Sequence, residues 1–231
     1  MLLAIDTSTK YGGVALHRDG ELVASLCWRS QGNHTRELLP SVQHLLERVG
    51  GTIRDVRGIA VALGPGGFSS LRVGLSAAKG LALGLSVPVV GVGTLELEAY
   101  PYKDTGLFVQ PLLAAGRGEV FTALFGPAQG QWSRLEEERI LAPQELVAGE
   151  PDPTLFCGEA APALADFLKE RLGSKALVVE AYWPGLRLAA LSHLGSQRLA
   201  RGESSDVATL QPLYLRRPSI GRPSPPQRVK Y

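Results

Sequence analysis

Residues 58–85 read GIAVALGPGGFSSLRVGLSAAKGLALGL, and this stretch decides the fold. Ile59 to Leu63 is a short, partly branched apolar run of the kind that forms a buried strand. Gly64-Pro65-Gly66-Gly67 then breaks it, supplying backbone conformations that other residues avoid. Ser69 or Ser70 is positioned to cap a helix. From Leu71 to Leu85 the sequence reads as that helix, with neither proline nor acidic residue inside it.

The predicted helix is apolar or small on nearly every side. Leu71, Leu75, Ala78, Ala82 and Leu85 form one stripe at helical spacing, and Val73, Ala77, Gly80, Leu81 and Gly84 cover much of the remainder. A helix apolar all round must be buried all round. One face can pack on its own sheet; the other calls for a second helix or another protein. Gly80 and Gly84, one turn apart, would let a second backbone approach closely.

Three readings compete for it. A membrane span is opposed by Lys79 at its centre, which costs roughly 2.5–3.5 kcal/mol in lipid. A phosphate cradle at a helix N-terminus is physically sensible, but Gly64 to Ser70 has neither the Lys-Ser/Thr of a P-loop nor the GxGxxG spacing. A helix shared between its own core and a partner is preferred.

Composition is that of an ordinary globular protein: 231 residues, 45% hydrophobic and 20% charged, enough for one large domain or two small ones. Cys27 and Cys157 make no metal or redox spacing and read as buried thiols. The opening MLLAIDTS lacks a basic segment before a long apolar core, so it reads as a first strand rather than a signal peptide; a cytoplasmic location is expected. The net charge of +2 hides an asymmetry. Arg216, Arg217, Arg222, Arg228 and Lys230 crowd the last sixteen residues without an acidic neighbour, while the rest of the chain is slightly acidic. Only that tail has the charge to touch nucleic acid directly, and a solvated tail is the plainer reading.

Taken in order, Leu2–Asp6, Val14–His17 and Glu21–Trp28 read as an antiparallel opening, and Asn33 or Thr35 caps a helix running to about Val49, with Pro40 in its first turn. The strand, the glycine turn and the 71–85 helix follow, then a strand over Val87–Val92. The second half repeats the plan. Phe108–Ala114 and Glu119–Phe125 form a hairpin, Leu155–Gly158 a strand, and Ala163–Leu172 a helix; Ala189–Arg201 is one more helix. Such duplication suggests two related α/β lobes, divided as 1–100 and 101–216, with a basic, proline-rich tail over 217–231.

Chemistry is sparse. Folds of the actin and sugar-kinase type place a carboxylate at each of two hairpins, around a metal-bound nucleotide. Asp6 holds that place in the first hairpin, and Ala114 stands at the matching place in the second. With one carboxylate missing, a metal loses half its protein-side charge. The alternative for Asp6 is an Asx turn satisfying the Thr7 to Thr9 backbone. His34 is followed four residues on by Leu38 rather than a second histidine, and no HExxH occurs. Ser69 and Ser70 lack a GxSxG elbow. No metal or cofactor is expected.

NHTRELLPSVQHLL (33–46), GPGGFSSLRVGLSAAKGLALGL (64–85), RGEVF (117–121), PLYLR (212–216) and IDTST (5–9) together resemble the bacterial TsaB (YeaZ) family. That resemblance implies a duplicated actin-like, ribonuclease-H-like fold of the ASKHA class, with two α/β lobes each built on a mixed sheet with packed helices. It implies a non-catalytic role in making threonylcarbamoyladenosine beside the tRNA anticodon. The chain would dimerise with a TsaD-type transferase, work with a TsaE-type ATPase, meet tRNA only through that complex, and pair with itself when alone. The expected interface is Leu71, Leu75, Ala78 and Ala82 on one helix, with Leu38, Ser41 and Leu45 on the other. The family's usual GPGSFTGLR stands here as GPGGFSSLR, and its DAR as Ala114-Ala115-Gly116. The rival reading is an ATP-using enzyme of the same fold, with Asp6, Gly64 and Gly66 as a vestigial or working nucleotide site.

Overall fold

The computed structural model describes residues 1–146 and 153–216. The basic tail expected over 217–231 lies outside the described residues. Two five-stranded mixed sheets carry the fold. In the first, β1 (Leu2–Asp6), β2 (Tyr11–Arg18) and β3 (Glu21–Arg29) run antiparallel, and β4 (Gly58–Gly64) and β5 (Val89–Gly93) extend it parallel to β1, giving the order β3-β2-β1-β4-β5. In the second, β6 (Phe108–Gly116), β7 (Glu119–Ala128) and β8 (Gln131–Leu141) form the antiparallel part. β9 (Thr154–Cys157) and β10 (Ala176–Val178) add the parallel strands, in the order β10-β9-β6-β7-β8. Replacing each strand of the first sheet by its counterpart five places on reproduces the second order. The duplication read from the sequence is therefore real at the level of topology.

Strand alternation decides what covers each face. Because successive side chains point to opposite sides, Leu3 and Ile5 face one way and Leu2 and Ala4 the other. Leu3 and Ile5 pack with α1 (His34–Arg48) and α2 (Phe68–Leu85), through Leu38, Val42, Leu45, Leu46, Leu75, Ala78 and Ala82. Leu2 and Ala4, with Ala15, Ala60 and Ala62, pack with Leu188, Ala190, Leu191 and Leu194 of α5 (Pro184–Ala200). The second sheet is sandwiched likewise: Leu95 and Ala99 of α3 (Thr94–Ala99) meet Val109, Leu113 and Phe121. On its other face Ala161 and Leu168 of α4 (Ala161–Leu172) meet Leu112 and Phe156.

Several sequence expectations are corrected by these contacts. A boundary that assigns everything from 101 to 216 to the second lobe does not hold, since α5 returns to the first sheet. α2 begins at Phe68 with Gly67 as its cap, and no side chain caps it; Ser70 Oγ donates back to the Gly67 carbonyl. Asn33 precedes α1 but makes no side-chain cap, and Pro40 lies inside α1 rather than in its first turn. There it leaves the Arg36 carbonyl without the usual donor four residues on. β8, α3 and β10 were not anticipated. Lys79, the charge that argued against a membrane span, donates to the Ala208 and Leu210 carbonyls at 3.4 and 3.2 Å. No helix among the described residues is long and apolar enough to cross a membrane.

Candidate functional site

Asp6 ends β1 on the face that α5 covers, and α5 brings an arginine to it. Arg187 Nε donates to Asp6 Oδ2 at 2.6 Å, while the Ser8 amide and hydroxyl donate to Oδ1 at 2.8 and 2.6 Å. The Ser8 bonds are the Asx-type turn expected of Asp6. The arginine was not foreseen. Its Nη1 reaches Glu98 Oε1 at 2.9 Å and the Tyr182 hydroxyl at 2.8 Å; its Nη2 reaches Thr9 Oγ1 at 3.1 Å. Tyr182 in turn donates to Glu98 Oε1 at 2.9 Å. Arg187, Asp6 and Glu98 are 2%, 2% and 5% exposed. The guanidinium thus joins β1, the β1–β2 turn, α3 and α5 at a single point.

Two carboxylates share this one cation. Burial pushes the Glu98 carboxyl up, and Arg187 only partly offsets it. Burial works against the Arg187 charge, but Asp6, Tyr182 and Glu98 together raise it well above its ordinary value. A carboxylate engaged on both oxygens and enclosed by a guanidinium is a poor metal-side ligand. In this arrangement both Asp6 oxygens are engaged within the chain.

The glycine turn is built around the same segment. Gly64 has φ +111, and a Cβ on Gly66 would sit 2.0 Å from the Ser8 carbonyl oxygen, so neither position has room for a side chain. The Gly67 amide donates to that carbonyl at 2.8 Å. Thr7 Oγ1 donates to the Ser70 carbonyl and accepts from the Gly74 amide, at 2.6 and 3.0 Å, bridging one turn of α2. Gly64 and Gly66 therefore fix α2 against β1.

A cavity of about 610 Å³ opens between the lobes in front of this turn. Its walls are Ser8, Thr9 and Lys10, the start of α1, Gly66 to Ser70, and from the second lobe Leu113, Ala114 and Glu159. Lys10 Nζ pairs with Glu159 Oε1 at 2.9 Å across it. Ala114 lies here as expected, while Asp6 does not line the cavity. Among the described residues no group of three or more His, Cys, Asp or Glu is placed to hold a metal ion. Glu119 pairs with Arg216.

The predicted interface residues need a correction. Leu38, Leu45, Leu71, Leu75, Ala78 and Ala82 are all between 0 and 5% exposed. They are the inward face of α1 and α2, committed to the chain's own sheet. Ser41 is half-buried and donates to the Glu37 carbonyl at 2.7 Å. The outward face consists of Ser69, Arg72, Ser76, Gly80, Leu83 and Gly84 on α2, flanked by half-buried Val73, Ala77 and Leu81. Leu83 is 67% exposed and Leu39 of α1 is 53% exposed. Nothing lies within 4 Å of where a Cβ on Gly80 or Gly84 would stand. Between the helices runs a groove of about 390 Å³ lined by Leu39, Val42, Leu46, Ile53 and Leu81.

The family model described as "TsaD: tRNA N6-adenosine threonylcarbamoyltransferase" matches residues 29–220. The tRNA threonylcarbamoyladenosine biosynthesis protein TsaB of Escherichia coli (strain K12) is 33% identical over 229 residues, covering 93% of this chain and 94% of its own. The chain belongs to the TsaB family. The Bacillus subtilis (strain 168) TsaB is similar at 31% identity over 218 residues, with 93% of each chain covered. Among solved structures, YeaZ from Pseudomonas aeruginosa superposes with a TM-score of 0.75 at 28% identity, covering 93% of this chain and 99% of that one. The two-lobed actin-like fold implied by the sequence motifs is the fold observed.

The residues at this site that sequence reading missed are Arg187, Glu98, Tyr182, Lys10 and Glu159. One signal for Arg187 was available. It shares a helical stripe with Leu191 and Leu194, at spacings of four and seven, so the stripe that buries those leucines buries the arginine too.

Proposed function

We propose that this TsaB-family chain is a non-catalytic subunit in threonylcarbamoylation of tRNA, docking onto a TsaD-type transferase through the outer face of α1 and α2. The observation that carries the reading is that face. Leu39 stands exposed on the lip of a mainly apolar groove, Leu83 stands exposed elsewhere on the outer side of α2, and α2 presents small residues where a second helix could approach closely. The names of the full-length relatives support the pathway. The non-catalytic part is supported by Arg187 occupying Asp6 and by alanine at position 114. In this reading the interface comprises Leu39, Ala77, Gly80, Leu81, Leu83 and Gly84, in place of the inward-facing residues. The chain pairs with itself through the same face when alone, a TsaE-type ATPase joins the complex, tRNA is met through the complex, and the site of action is the cytoplasm.

Sedimentation of the purified chain, alone and mixed with a TsaD-type protein, tests this, with Leu39→Glu and Leu83→Glu as interface variants. Loss of association in variants that keep the wild-type thermal midpoint is the expected result. Undiminished association would remove this face from the interface. ATP turnover by the chain alone, lost in Asp6→Ala, would restore the rival enzyme reading.

A further inference from the structure

A second groove, also of about 610 Å³, shares Gly66, Gly67, Phe68 and Ala114 with the first cavity. Its other walls are the hairpin between β6 and β7, out to Arg117, and the chain from Leu213 to Arg216. No carboxylate stands among its described lining residues, whereas Arg117 and Arg216 both do. Arg72 adds a third guanidinium, lying 3.7 Å from the centre of the Phe68 ring and donating from Nε to the Tyr214 hydroxyl at 3.1 Å. Phe68 and Tyr214 pack with ring centres 4.8 Å apart, and both line the groove. Among the described residues Glu119, which holds Arg216, is the one carboxylate paired with any of the three.

Folding gives no reason for a cation at position 117. Arg117 and Gly118 are the two turn residues between β6 and β7, with φ +57 and +78. Such a turn favours asparagine or glycine, and an arginine in the left-handed region is strained. Its side chain is exposed and makes no hydrogen bond or ion pair among the described residues. Arg216 is brought to the same hairpin, donating to the Ala115 carbonyl at 3.4 Å. The sequence past it adds Arg217, Arg222, Arg228 and Lys230 without an acidic residue.

We propose that this groove takes the phosphate backbone of RNA, with Arg72, Arg117 and Arg216 as its phosphate-binding cations. Guanidinium groups fork onto phosphate oxygens in a geometry that lysine lacks, and of the cations named here only Lys230 is not arginine. Set around a groove between the lobes, they suit a ridge of phosphates rather than the plane of a membrane. Contacts of this kind position an RNA without reading its bases. The choice of RNA among polyanions rests on the pathway reading above; the placement of the cations does not.

Fluorescence anisotropy of a labelled, unmodified tRNA transcript tests it. The transcript is titrated with the full chain, alone and joined to a TsaD-type protein, between about 50 and 200 mM salt. Arg117→Gly suits the turn and removes the charge. It should weaken binding by about threefold or more and lower the slope of log affinity against log salt by about one. Arg72→Gln should act likewise, while Arg171→Gln, on α4 outside the groove, should change neither. Wild-type affinity and slope in Arg117→Gly would overturn the proposal. So would polyglutamate that displaces the transcript as effectively as unlabelled tRNA of equal charge. A chain that fails to join the TsaD-type protein, yet loses RNA on Arg117→Gly, would overturn the docking reading and uphold this one.

Discussion

Arg187 Nε lies 2.6 Å from Asp6 Oδ2, across 181 positions of sequence, with both side chains almost fully buried. The carboxylate that the fold offers at its first hairpin is thereby turned into a structural anchor. A buried pair of this kind is not a source of large net stability, but breaking it on one side strands a charge.

Arg187→Met should therefore destabilise the chain by roughly 3–5 kcal/mol, because Asp6 and Glu98 lose their shared cation. Adding Asp6→Asn and Glu98→Gln to that variant should recover much of the loss. Urea unfolding midpoints of the single and triple variants check this, and a triple variant no more stable than the single one would contradict it.

Glu98 gives a pH dependence of defined sign. Its folded-state pKa is raised above the ordinary value of 4.5, by burial first. A raised pKa contributes stability that is fully present below the unfolded value and is lost as pH rises through the folded one. Glu98→Gln removes that loss. Its stability relative to wild type should grow as pH rises above the ordinary carboxyl value of 4.5. A difference between the two proteins that stays flat across that range would show Glu98 to be fully compensated by Arg187.

The two faces of the helices should respond differently to truncation. Leu75→Ala opens a cavity in the first lobe's core and should cost about 2–5 kcal/mol. Leu39→Ala, at an exposed site, should change stability by no more than ~0.5 kcal/mol. Thermal unfolding of the two single variants makes the comparison; a larger cost at Leu39 would reverse the assignment of faces.

Much of this architecture was legible because local pattern and tertiary role coincide. Strand, glycine turn and helix over 58–85 are punctuated by residues with few other uses, and the hairpins of both halves follow from period-two apolar runs. The face assignment failed for a physical reason. α2 is apolar or small all round, so periodicity cannot say which stripe meets the sheet, and the bulky stripe of Leu71, Leu75, Ala78 and Ala82 went to the core. The Asp6 environment was half legible: the Asx turn is local, whereas Arg187 arrives from a helix that crosses back to the first sheet. Glu159 and Lys10 meet only because two lobes close on each other, which no local pattern encodes.

Gly80 and Gly84 separate what is good for the chain alone from what is good for a complex. Both sit inside α2 with open space where a Cβ would be, so folding of the isolated chain gives no steric reason for glycine. Alanine at either position should raise the stability of the chain by about 0.5–1 kcal/mol, through helix propensity and a less flexible unfolded state. If a partner helix rests on this face, the added methyl groups hold it off. The double variant Gly80→Ala/Gly84→Ala should then melt higher than wild type yet associate more weakly with a TsaD-type protein in sedimentation. A variant that gains stability and binds as well as before would move the contact elsewhere on the outer surface.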